Sequence, residues 1–236
     1  MASTIQLQRT INLAQQFLRL EPLTFAANTA NDPAFSNADW VLQTMLAAPL
    51  GWRWNRVGAS ITVPTFVTQV GVTDYKVNLP NFGWMEKAAA YDPVNGYYAF
   101  ELQVDLVKAA ETLPNQMTRI AAQYDDGNGN ITFRVFPAPD QIYNVVVEYQ
   151  KSAPLFTTLS QTWSPVPDYL SYIYNVGFFA KCGEYSSDPR YMGAMQSFYQ
   201  ELAAASEGLN ETQRNLWLDG KLSAMRQTQM VQQGRG

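Results

Sequence analysis

An α+β fold follows from two periodicities. Apolar residues recur at helical spacing near both ends of the chain and at alternate positions through its middle. A third point sets the organisation. Each terminal helix has an apolar face and none is long enough to be stable alone, so these helices are expected to pack on one another. The expected architecture is a helical bundle built from both termini with an inserted antiparallel β-rich domain. Residues 1–50 would give the N-terminal helices, 51–159 the β domain, 160–224 a C-terminal helical hairpin and 225–236 a flexible tail.

Ser3-Thr4-Ile5-Gln6 has the form of a capping box with Ser3 as N-cap. Leu7, Ile11, Ala14 and Leu18 then mark one helix face, which Glu21-Pro22 ends. After a small-residue loop (Thr24 to Pro33), Ser36 and Asp39 start a second helix carrying Trp40, Val41, Thr44, Met45 and Ala48. Pro49 and Gly51 stop it.

From Trp52 to Tyr149 the pattern has period two. Strands are expected at Ile61–Val63, Phe66–Thr68, Tyr75–Leu79, Tyr97–Val107, Met117–Tyr124, Ile131–Phe136 and Tyr143–Tyr149. Val145, Val147 and Tyr149 share one face of the last. Ser164-Pro165 reads as the N-cap and first residue of another helix, with Leu170, Ile173, Tyr174, Gly177 and Phe178 as its stripe. Asp188-Pro189 opens a longer helix along Met192, Met195, Tyr199, Leu202, Ser206, Leu209, Gln213 and Leu216, a spacing suited to packing along another helix. From Met225 the chain is polar and Gln-rich, with little to offset its ordering entropy, and is expected to stay unfolded until a partner binds it.

Composition narrows the function. Only 15% of the 236 residues are charged against 47% hydrophobic, where about 25% charged is usual. Such a surface suits a protein whose faces are covered by neighbours. The net charge of −4 opposes tight non-specific binding to nucleic acid. After Asp219 there is no acid, while Lys221, Arg226 and Arg235 remain, so this end is basic. Met1–Thr10 has neither the basic nor the apolar region of a signal peptide, and no run approaches the ~18 apolar residues of a membrane span. Cys182 is alone and cannot form an intrachain disulfide.

Histidine is absent, which removes the histidine general base and the triads built on it. Asp126-Gly127-Asn128-Gly129-Asn130 begins like a calcium loop, but its twelfth position is Pro137, not Glu, and a hairpin turn is the preferred reading. Asp92, Glu101, Asp105 and Glu111 could pair as in a glycosidase, yet nothing brings two of them together. Trp52, Trp54, Trp84, Tyr91, Tyr97 and Tyr98 could form a sugar platform, but core and edge packing is the simpler role. Cys182 lies on an aromatic-rich helix as an inert thiol. No enzyme activity, cofactor or metal is expected.

Four features in order carry a resemblance: the N-terminal helix pair running into Trp52-Arg53-Trp54-Asn55-Arg56, the strand end Tyr75–Pro80, the unit Phe133–Asp140 leading into Tyr143–Tyr149, and the Pro-led C-terminal helices. Together they resemble the head-to-tail adaptor (connector, neck) proteins of tailed bacteriophages. Asn78 is one residue more than the commoner strand end of that family has. Pro137 and Pro139 would block ladder hydrogen bonds, and Asp140 would accept a backbone N–H to set the next strand.

The resemblance implies a structural virion protein of the neck or tail, assembled in the host cytoplasm. About twelve copies would form a ring, bound to the portal above and to a tail or nozzle protein below. DNA would pass through the channel without sequence-specific contact, and no membrane is involved. The portal-gripping element would be the C-terminal segment, with Met225, Met230 and Val231 entering a groove and Arg226 and Arg235 meeting acceptors. The alternatives are another structural subunit, of tail tube or baseplate, or a carbohydrate-binding tail module.

Overall fold

The computed structural model describes residues 3–18, 33–60, 62–94, 99–104 and 114–233. It is a mixed α+β protein in two compact units. Arg56–Ser152 forms one, and the chain before and after it forms the other.

The helical unit has five α-helices among the described residues: α1 (Leu7–Leu18), α2 (Pro33–Leu46), α3 (Ser171–Tyr185), α4 (Tyr191–Ala205) and α5 (Glu211–Gln233). One apolar core draws on the first four. Leu7, Ile11 and Ala14 of α1 are buried with Phe35, Val41 and Met45 of α2, and with residues of α3 and α4. The periodic α1 face expected from sequence is therefore the buried one, with Leu18 packed at its margin. Trp163 sits at the centre, stacked on Tyr174 at 4.4 Å and donating its indole N–H to Thr10 Oγ1 at 2.9 Å. Where α3 meets α4, a Cβ on Gly177 would lie 2.7 Å from the Phe198 ring, so only glycine allows the approach.

The structure departs from sequence expectation at several helix ends. The capping box at Ser3 does not form. Helix α1 begins at Leu7, Gln6 bridges to Thr162, and Ser3 Oγ donates to Asp168 Oδ1 at 2.7 Å. Helix α2 begins at Pro33, three residues before Ser36, and Asp39 accepts the N–H of Phe156 at 2.7 Å. The helix expected at Ser164-Pro165 starts at Ser171, after a 3-10 turn at Asp168–Leu170. Two prolines explain the delay, since Pro167 disfavours the α conformation at Val166.

The long stripe from Met192 to Leu216 belongs to two helices. Ser206 is extended (ψ 127°), and the N–H groups of Glu207 and Gly208 donate to Gly51 O. A Cβ on Gly208 would lie 2.6 Å from Gly51 N, so glycine is required there. Asn210 and Gln213 then cap α5 reciprocally, each side chain accepting the other's backbone N–H, at 2.9 and 3.0 Å. Leu216, placed on the stripe by spacing, is 68% exposed, and Trp217, Leu218 and Met225 pack on the core instead. The stretch expected to be unfolded from Met225 continues α5 to Gln233. Its Met, Arg and Gln residues are good helix formers, with neither Gly nor Pro before Gly234 to interrupt them.

The carboxylate of Asp168 also accepts from Thr4 N (3.0 Å) and Thr4 Oγ1 (2.7 Å), strapping the start of the chain to the 3-10 turn. These bonds, Ser3 first, hold its pKa below the usual carboxylate value. A lowered folded pKa means that the stabilisation is present above the unfolded value, about 4, and is lost as pH falls through the lower folded one. Asp168→Asn should therefore lower the melting temperature at pH 7, and the gap from the parent protein should close in strong acid. A gap that is constant with pH would contradict this.

The β unit holds β1 (Arg56–Gly58), β2 (Phe66–Val67), β3 (Asp74–Asn78), β4 (Phe82–Tyr91), β5 (Ala99–Val104), β6 (Pro114–Asn115), β7 (Arg119–Asp125), β8 (Asn130–Phe136), β9 (Ala138–Pro139) and β10 (Asn144–Lys151). Eight of them form one sheet in the order β1-β10-β4-β5-β7-β8-β3, with β2 also on β10. Its pairings are antiparallel except β5 with β7. The sheet is curled. Phe66, beside β10, stacks at 4.7 Å on Tyr75 of β3, the strand at the far end of the order. Inside lie Val145 and Val147 of β10 with Ile131, Phe133 and Val135 of β8. Strand β4, ten residues long and lying between β10 and β5 in the sheet, was not expected from sequence. At Ile61–Val63 the described part is a single bridge from Val63 to Ser60. Of Tyr97–Val107, residues 97, 98 and 105–107 lie outside the described residues.

Candidate functional site

The segment given the partner-binding role divides in the structure. Met225 is half-buried, packed against the helical core. Arg226 is exposed beside it. Met230 and Val231 continue the α5 backbone, their side chains outside the described set, and Arg235 lies outside the described residues altogether. So Met225 already has neighbours within its own chain, and a partner would meet a helix here, not a loose tail.

Around Met225 the fold assembles groups that sequence spacing could not connect. Trp40 of α2, Lys181 of α3, Met192, Met195 and Tyr199 of α4, and Lys221 of α5 border one cleft. The Lys181 ammonium lies 4.7 Å from the centre of the Trp40 ring and is also ion-paired with Glu184. The Lys221 ammonium lies 5.5 Å from the Trp217 ring and 5.9 Å from Tyr199. Burial, more than the charge of Glu184, pushes the Tyr199 hydroxyl above its usual pKa. Only the α4 stripe was legible beforehand. Trp40 and Lys181 come from distant helices with no local sign of the meeting.

The Pro137–Asp140 unit is a bend. Ala138–Pro139 pairs in parallel with Pro114–Asn115, Pro139 O accepts Gly71 N at 3.0 Å, and Asp140 N donates to Asn115 O at 3.1 Å. The Asp140 carboxylate was expected to accept a backbone N–H. It accepts the hydroxyl of Tyr143 instead, at 2.7 Å, because the side chain three residues on reaches it first. Burial, reinforced by that carboxylate, pushes the Tyr143 hydroxyl up to about 12.

The other candidates are held by structural contacts. Asp126 Oδ1 accepts the N–H groups of Asn128 and Asn130, and Oδ2 meets Asn130 Nδ2 and, at 2.7 Å, Lys76 Nζ. Those bonds hold its pKa well down, and with Gly127 and Gly129 both at φ +77° the loop is a turn closed by its own carboxylate. Asp92 caps Val94 N and accepts Gln141 Nε2. Glu101 lies exposed on β5, while Asp105 and Glu111 are outside the described residues. Trp52 is buried, with its indole N–H on Met45 O at 2.7 Å and its ring 5.4 Å from that of Trp54. Trp84 and Tyr91 belong to β4, and Tyr97 and Tyr98 are not among the described residues. Cys182 is buried, and burial pushes its thiol up to about 12, leaving it unreactive near neutral pH.

Among the described residues no group of three or more acidic, histidine or cysteine side chains is placed to hold a metal ion. No helix among them is long and apolar enough to cross a membrane. Compared with known proteins, the chain matches no protein-family model and no curated protein sequence.

Proposed function

We propose that this chain is a non-enzymatic structural subunit of a tailed-phage particle, the portal-to-tail adaptor, working as a homo-oligomeric ring around the DNA channel. Its helices act in this reading as one bundle built from both ends of the chain, with the β unit inserted. The observation that carries it is α5: a 23-residue helix anchored by Trp217, Leu218 and Met225, with no acid after Asp219. A basic helical end with so few anchors suits contact with another protein, here the portal above the ring. The low charge of the whole chain supports the same reading, because ring subunits cover much of one another's surface.

The test is to delete residues 226–236 and measure portal binding by co-sedimentation. The described part of this segment adds little to the core, so the melting temperature is expected to stay close to that of the parent. Attachment to the portal is expected to be lost. Full portal affinity in the truncated protein would remove the role assigned to α5. A tail-tube or baseplate subunit is the second reading, favoured by one observation: among the described residues β3 pairs with β8 alone and ends the sheet. Asp74 and Lys76 on that strand counter it, since charge on an edge discourages strand pairing between copies.

A further inference from the structure

The cleft beside α5 has an apolar floor and a cationic rim, and that combination selects a kind of partner. Its volume is about 260 Å³, below the roughly 300–1,000 Å³ of small-molecule sites and suited to one or two side chains. A second hollow of about 240 Å³ shares Met192 and Met225 and adds Leu222 and Arg226. Methionine side chains are flexible and polarisable, so such a floor adapts to Leu, Met or Phe.

The rim is positive. Lys181 is offset by Glu184, but Lys221 and Arg226 have no carboxylate partner among the described residues. Lys221 is held over two aromatic faces, which fixes its charge at the mouth without neutralising it. A basic segment would meet repulsion there, while an acidic one gains a charge-assisted contact on each side.

We infer that this cleft docks a partner segment that presents a large apolar side chain flanked by carboxylates. Resting on the adaptor reading, that segment belongs to the portal protein. The apolar side chain enters between Met192, Met195 and Met225, and the flanking carboxylates face Lys221 and Arg226.

The probes are two labelled, end-capped peptides, each with Leu-Phe at its centre, flanked by aspartates in one and by lysines in the other. They are titrated by fluorescence anisotropy against the full chain. The aspartate peptide is expected to bind about tenfold or more tightly than the lysine peptide, with affinity falling as salt rises. Lys221→Glu should remove that preference, and Met192→Ser, a neutral change at the partly exposed edge of the floor, should weaken both peptides. Melting curves check that each variant is folded, and Lys221→Met is the milder substitute if Lys221→Glu is not.

Equal binding of the two peptides, no binding of either, or an unchanged preference in a folded Lys221 variant overturns the inference. Portal co-sedimentation separates this from the adaptor reading. If wild-type protein binds portal but ignores the aspartate peptide, the cleft is not the dock and the adaptor reading stands. If the aspartate peptide binds as expected and portal does not, the cleft chemistry stands and its assignment to the portal fails.

Discussion

Replacing Leu7 and Ile11 together with alanine is expected to unfold α3 and α4 as well as α1. Both side chains are buried, at 0% and 1% exposure, in the core that these helices share. Each truncation removes transfer energy and leaves a cavity, at about 2–5 kcal/mol per site. The pair therefore matches much of the ~5–15 kcal/mol that separates a domain from its unfolded state. Amide hydrogen exchange reads the outcome by region. Protection should be lost throughout α3 and α4, while β8 and β10, whose core is their own, keep theirs. Loss confined to α1 would mean that the helices do not depend on one another, and that the bundle reading fails.

Trp163→Ala is the second large effect, at about 3–5 kcal/mol. Trp163 is fully buried, stacked on Tyr174 and edge-on to Phe156 and Phe178 at 5.1 and 6.2 Å. It also supplies the donor to Thr10 Oγ1 in α1. Trp163→Phe separates the two contributions, keeping most of the ring packing and losing the hydrogen bond. It should recover most of the stability but remain below the parent by about 1 kcal/mol or more. Urea unfolding of both variants measures the difference. Equal stability of Trp163→Ala and the parent would show that the residue is not central to this core.

What could be read in the sequence was what repeats locally. Leu7, Ile11 and Ala14, and Val145, Val147 and Tyr149, were legible because one buried face imposes its period on the chain. Strand β4 was not legible, since Glu86-Lys87-Ala88-Ala89-Ala90 has none of the β-branched residues that mark strands. Pairing with β10 on one side and β5 on the other makes it a strand. The split between α4 and α5 was masked by a helical stripe that continues through it. Its signs were local: Gly208, where Gly51 comes close, and the Asn210–Gln213 cap. At the candidate site the basic, acid-free end was plain in the sequence. The cleft was not, because Trp40, Lys181 and Lys221 meet only through the packing of four helices.

The most direct test of the adaptor assignment is the mass of the complex formed when the purified chain is mixed with portal rings, read by mass photometry or native mass spectrometry. The assignment predicts discrete addition of a closed set of about twelve copies to each portal ring, with no such addition by the protein lacking residues 226–236. Portal rings that keep their own mass in the presence of excess full-length chain would contradict it.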